Sequence, residues 1–418
     1  MDHRVSVARA GWAGAIRGIG FALAWGGLLA VASPVDALAE ENCTGRWSAA
    51  TPPVQTIDAL QTALNTACPG SLILVAPGVY HGRIWIKSGV NGTAERPIVV
   101  RAQRGLGSVT IDGMGTDITW KFSGSSYIEV SGLQITGGGY HGVFFDFGAH
   151  NILFEGNRVF DNHRTGPLDS HSEIKGSGGN GRPRRIVIRN NEIFHTRHPP
   201  GGNFQGIDCN FCRDFRIVGN HIHDINSPTS QPYSIYDRGS CIQMKSASTR
   251  TVIDGNLVER CHIGIVLGGE GLASPETLSG LVQNNIVLNA DDIGIAVVNS
   301  RNARLIHNTV LGSRIDIHLG RDRGFDNSRN SGFLANNLLS NNPVIEDGKG
   351  VQRIGNVINS ELTPEKLFAD TEGGDFSLSA AAKDLVPGLV GDVLCPSLDF
   401  LKKPRACGKA GVVGAVAR

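Results

Sequence analysis

Charge is scarce in this chain: Asp, Glu, Lys and Arg make up only 18% of its 418 residues. That excludes coiled coils and charged helical arrays, which need Ala, Glu, Lys and Leu in quantity. No Gly-X-Y period orders the 55 glycines, so collagen is excluded too. The net charge is +1. Arg4, Arg9 and Arg17 against Asp2 and Asp36 already account for it, so the rest of the chain is neutral. A neutral body lacks the positive charge that gives nucleic-acid affinity, and no nucleic-acid partner is expected. Beyond residue 39 no apolar stretch is long enough to span a bilayer.

Glycine is what the chain has in excess, at nearly twice the usual share of about 7%. At the N-terminus, three Arg precede an apolar run from Ile19 to Ala32, and Ala37-Leu38-Ala39 fits a cleavage site. Residues 1–39 therefore read as an export signal, and the protein as secreted or periplasmic. An oxidising compartment permits disulfides among the eight Cys. Cys43–Cys68 and Cys395–Cys407 are plausible staples at the two ends. The central four, Cys209, Cys212, Cys241 and Cys261, are left open by the sequence. Cys209 and Cys212 have redox or zinc spacing, but Cys209 falls in an inward column beside Ile174 and Met244. A buried thiol or a disulfide is the expected state.

The strongest signal is an Asn followed two places on by an aliphatic residue. It recurs at Asn157, Asn191, Asn220, Asn256, Asn285, Asn308, Asn337 and Asn356, at intervals of 19 to 36 residues. Position +2 is always aliphatic, and position −3 is apolar in every unit except the last, where it is Arg353. Each unit holds short period-2 segments separated by Gly, Asn and Asp, with no helical pattern between. That is the pattern of a parallel β-helix, in which inward aliphatics stack coil on coil. The turn Asn residues are expected to adopt the left-handed conformation and to stack their amides along the axis. Thr56–Thr66 reads as a short amphipathic capping helix with Thr56 as N-cap, followed by a strand at 71–75. The expected organisation is an N-terminal cap at 40–80, the β-helix at 81–360 and a C-terminal cap at 361–418, most simply as a monomer.

Two stretches near the N-terminus, Ala76–Ile86 and Gly92–Gly113, and the closing segments at 375–388 and 412–415 carry a family resemblance. On them and on the repeat, the chain is similar to the right-handed parallel β-helix proteins of the pectate-lyase-like superfamily. The resemblance implies an all-β, right-handed parallel β-helix with a short N-terminal capping helix. It implies a carbohydrate-directed function, but that superfamily includes lyases, hydrolases, uronate epimerases and non-catalytic surface proteins. The Asp-Pro-His-Asp signature of alginate epimerases is absent. So are the pectin-hydrolase motifs, apart from an echo at Asp291-Asp292. Glu173-Ile174-Lys175 resembles the Glu/Lys arrangement of family 6 lyases, at shorter spacing.

The second strand set singles out one region. Its outward positions are polar on three successive coils: Glu173 and Lys175, Asp208 and Asn210, Gln243 and Lys245. Adjacent coils lie about 4.8 Å apart, which would put Lys175 and Lys245 roughly 10 Å apart with Asn210 between them. The loops entering these strands carry His163, His171, His195, Arg197, His198, Tyr236 and Arg238. From 173 to 216 eight Lys and Arg face four Asp and Glu, which suits an acidic polysaccharide. Elimination from a uronate needs a cation for the carboxylate, a base for the adjacent proton and an acid for the leaving oxygen. Lys175, Lys245, Arg238, His171, His198 and Tyr236 are the catalytic candidates. Arg197, Asn210 and Gln243 are the candidates for binding substrate. Glu173, Asp208 and Asp146 could hold Ca²⁺, which takes oxygen ligands. A polysaccharide lyase is the favoured activity. A glycoside hydrolase using Glu173 and Asp208, a uronate C5 epimerase and a non-catalytic glycan binder are the alternatives. His221 and His223 read as surface or turn residues.

Overall fold

A computed structural model of the chain describes residues 44–163, 171–179, 181–197, 203–226, 239–269, 275–320, 330–346, 348–382, 395–405 and 413–417. Three long parallel sheets of 11, 11 and 10 strands run its length, and each coil adds one strand to each sheet in turn. The architecture is a right-handed parallel β-helix. Inward Ile, Val, Leu and Phe from all three sheets form one continuous core. At its start the helix Ile57–Thr66 lays Leu60, Ala63 and Leu64 on the core, and Thr56 caps it by accepting from the Ala59 N–H at 3.1 Å. No helix among the described residues is long and apolar enough to cross a membrane.

The Asn repeat lies at the turn from the first sheet to the second. Each backbone N–H and each side-chain Nδ2 from Asn157 through Asn337 donates to Oδ1 of the next Asn, at 2.8–3.2 Å. The same Nδ2 also donates to a backbone carbonyl, as Asn256 does to Ile217 at 2.9 Å. The stacking is as the sequence suggests, but the left-handed conformation belongs to the residue before each ladder Asn. Gly156, Asn190, Gly219, Gly255, Asn284, His307, Asn336 and Gly355 all have φ between 53° and 65°. That residue turns the chain, and the Asn that follows points its amide inward. Arg353 breaks the inward column without penalty because it lies exposed on the last coil of the first sheet.

Residues after 361 lie against the second sheet. Leu367, Phe368, Phe376, Val413 and Ala415 pack against Ile286, Leu288, Leu311 and Leu338 of the second sheet. The central cysteines pair as Cys209–Cys212 and Cys241–Cys261. Cys68 and Cys395 are also disulfide-bonded; Cys43 and Cys407, their expected partners, lie outside the described residues. So does the expected export signal.

One buried carboxyl makes stability depend on pH. Asp316 is fully buried, and burial pushes its carboxyl up to about 6 although the Ser340 and Asn341 N–H groups donate to it. The folded chain therefore holds this proton more tightly than the unfolded chain. Stability is lost as pH rises from about 4 to about 6, at up to about 1.4 kcal/mol per unit. Urea unfolding of Asp316→Asn should show a gain over wild type that grows across this window. A gain independent of pH would contradict the assignment.

Candidate active site

The site forms on the outer face of the third sheet, on strands His171–Ser177, Phe204–Asn210 and Ser240–Lys245. Their register differs by two residues from the alignment that the motifs suggest. Ile174, not Ser172, is level with Val143 and Ile207, so Lys175 rather than Glu173 is level with Asp208. The shift restores an unbroken inward column, from Val143 through Ile174 and Ile207 to Ile242. It also places Gly176, not Ile174, beside Cys209. A Cβ on Gly176 would come within 2.4 Å of the Cys209 sulfur and 2.6 Å of the Cys212 sulfur, so the disulfide fills the space that a side chain would take.

The corrected register creates a charged centre. Lys175 Nζ donates to Asp208 Oδ2, and Lys245 Nζ approaches Asp208 Oδ1 at 3.8 Å. The two ammonium groups thus share one carboxylate instead of standing apart. Lys175, Asp208 and Lys245 are only 7%, 1% and 3% exposed, so this is neither a solvated salt bridge nor the rim of an open groove. Burial pushes the Asp208 carboxyl up, but Lys175 and Lys245 outweigh it and hold the group below its ordinary value. Asp208 therefore stays ionised. His141 lies beside this centre and stacks on Phe144 at 5.3 Å. Burial first, then Lys175, push it down to about 3, so it is an uncharged imidazole at neutral pH.

A single outward column leads to this centre. The register aligns Trp85, Lys121, Phe144, Lys175, Asp208 and Gln243 on successive coils. Lys121 Nζ lies 5.1 Å from the Trp85 ring and 5.3 Å from the Phe144 ring. Aromatic faces alternate with cations along this line. Trp85 and Lys121 escaped the sequence reading because their coils precede the Asn repeat. The alternation in Ile84-Trp85-Ile86 is the signal that could have found Trp85. Further along the column Val266 and Ala296 are apolar and buried.

The other candidates fall in several places. Gln243 neighbours Asp208 and donates to the Gly268 carbonyl at 3.3 Å, while Asn210 is level with Lys245. His171 is buried and stacks on Phe204 at 4.9 Å. Arg197 is largely exposed, 3.8 Å from Asp161. His198, Tyr236 and Arg238 lie outside the described residues. The three carboxylates suggested for calcium do not converge among the described residues. Asp146 pairs with Lys121 at 2.8 Å, and Asp208 is held by two lysines. Glu173 accepts from Asn162 at 3.0 and 2.6 Å and lies 3.2 Å from His195. With its ammonium and imidazole neighbours, this set does not fit Ca²⁺, which takes oxygen ligands. His221 and His223 lie on a strand of the second sheet, with His221 Nε2 2.8 Å from Glu259 and His223 3.6 Å from Glu192 and 2.6 Å from Asp224. A cavity of about 830 Å³ opens there, against the C-terminal segment, away from the charged centre.

Residues 173–352 match the family model described as right handed beta helix region. Among solved structures, pectate lyase Pel9A is 14% identical with a TM-score of 0.62, over 90% of this chain and all of that one. PfbA, a surface adhesin of Streptococcus pneumoniae, is 13% identical with a TM-score of 0.50, over 72% of this chain and 86% of that one. An alginate lyase from Paenibacillus sp. str. FPU-7 is 18% identical with a TM-score of 0.45, over 73% and 97%. Compared by sequence, no curated protein matches the chain. The likenesses to Pel9A and PfbA show the fold alone.

Proposed function

We propose that this protein is an exported polysaccharide lyase that cleaves a uronate-containing glycan by β-elimination. The observation that carries the reading is the outward column that runs through Lys175 and Asp208, with Lys245 against Asp208 from the next coil. Half-buried Trp85 and Phe144, the latter already backed by His141, offer aromatic surface to sugar rings, and Lys121 offers a sugar carboxylate a cation that it shares with Asp146. At the charged centre, Asp208 stays ionised and positions both ammonium groups. One lysine neutralises the uronate carboxylate. The other, once deprotonated, takes the proton from the carbon beside that carboxylate. The electron pair of that C–H bond becomes a carbon–carbon double bond. The glycosidic C–O bond breaks, and the leaving oxygen takes a proton from water. The similar fold of pectate lyase Pel9A is compatible with this chemistry.

The hydrolase alternative loses support from the register, because Glu173 and Asp208 are not level and each is held by other groups. The adhesin of similar fold keeps a binding-only reading in view. The test is to incubate the protein with pectate, alginate and glycosaminoglycans, following ultraviolet absorbance and reducing ends together. Both should rise with one acidic glycan. Reducing ends without absorbance would mean hydrolysis, and binding without any product would mean a glycan-binding platform. Either result overturns the proposal.

A further inference from the structure

We infer that His163, Glu173 and His195 form a binding site for a divalent transition-metal ion of the zinc type. The site takes part in no step of the elimination above, and the inference stands without that reading. His163 follows the strand Arg158–Phe160, and His195 follows Glu192–Phe194 on the next coil. Glu173 lies on the strand that begins at His171. One donor atom from each of the three lies within 4.8 Å of the other two, and all three residues are buried. Zinc ligands bound at about 2.0–2.2 Å in a tetrahedron sit about 3.4 Å apart, so small side-chain rotations bring this set to bonding distance.

The hydrogen bonding points to a missing ligand. Neither ring nitrogen of His163 has a hydrogen-bond partner, and Nδ1 of His195 has none. A buried polar atom left in that state is costly unless something else occupies it. An ordinary His195–Glu173 ion pair would leave His163 unexplained. The carboxylate is also held in place from behind. Asn162 donates to Glu173 through its backbone N–H and its Nδ2. Asn162 Oδ1 in turn accepts from Gly138 N at 2.9 Å and Thr119 Oγ1 at 3.2 Å. Such outer contacts fix the orientation of metal ligands. Two imidazoles and one carboxylate favour zinc-type ions over calcium, and three protein ligands leave a fourth position open.

The test uses the full chain without an affinity tag, stripped with a chelator and titrated with Zn²⁺ and with Co²⁺. The expected result is uptake of about one equivalent, with the visible absorption of low-coordinate cobalt and no displacement by excess Ca²⁺. His163→Ala and His195→Ala should each weaken binding by at least about 100-fold, and Asn162→Ala by about 10–100-fold. Circular dichroism of the stripped variants checks that they are folded. His163→Gln replaces any variant that is not, with the same expected loss. No uptake by folded wild type, variants that bind like wild type, or displacement by Ca²⁺ would each overturn the assignment. So would loss of the metal on changing His221 and His223 instead.

Discussion

Lys175→Met should lower kcat/KM on the cleaved glycan by at least about a thousandfold, with both the cation and the proton acceptor of the charged centre disturbed. Removing one partner of a buried ion pair is also destabilising, by about 3–5 kcal/mol. Lys245 still faces Asp208 in this variant, so the loss should fall short of that. Adding Asp208→Asn and Lys245→Met to this change separates the two effects. The triple change leaves neither carboxylate nor ammonium of the centre uncompensated, so stability should recover while activity does not. If activity returns with stability, Lys175 serves the fold and the proposed centre is wrong. Lys121→Ala and Trp85→Ala lie two and three coils away from Lys175. They should raise KM by about tenfold and leave kcat nearly unchanged, because the proposed reading sets them along the chain of sugars and not at the bond that breaks.

The second large effect concerns the Asn ladder. Asn256→Ala removes the donor to the Ile217 carbonyl and the acceptor shared by the N–H and Nδ2 of Asn220. With Asn285 Oδ1, which loses the Asn256 Nδ2 donor, four buried polar groups lose a partner. Two of them, Asn220 Nδ2 and Asn285 Oδ1, keep another, so a loss of about 3–6 kcal/mol is expected. Asn256→Asp should be little better. Its carboxylate can accept from Asn220 but cannot donate to Ile217, and it would face Asn285 Oδ1. Coils contact only their neighbours, so the damage should open the middle of the stack before the ends. Denaturant unfolding followed by hydrogen exchange would show this. Exposed Gln352→Ala is the control, with a change of less than about 0.5 kcal/mol. Equal effects at the two positions would mean that the ladder adds nothing.

The fold was legible because its signal is repeated eight times. A buried amide column and an aliphatic two places on must recur in every coil, so the sequence displays them in every coil. The capping helix was legible for a different reason: Thr56 and the spacing of Leu60, Ala63 and Leu64 are local. The site was only half legible. Lys175, Asp208 and Lys245 were recognisable as outward polar residues, but which lay level with which was not. The slip arose at Gly176, an inward position with no side chain to mark it. Its space is taken by a disulfide whose pairing a sequence cannot give. Glu173 was misplaced for the same reason. Its proper neighbours, His163 and His195, come from the preceding corner and the next coil, and no local pattern joins them.

The outward column can also be regarded as a measuring rod. Lys121 and Lys175 are separated by one coil, that of Phe144, and backbone hydrogen bonds fix each step at about 4.8 Å. The interval of nearly 10 Å between their strands therefore cannot adapt to a guest as a loop-lined cleft can. On the proposed reading, a polymer whose negative groups recur at that interval would meet both cations at once, and one with another period would satisfy the first and drift away from the second. Selectivity would then reside in the beat between two repeats, that of the glycan and that of the protein, and only secondarily in the outline of any one sugar.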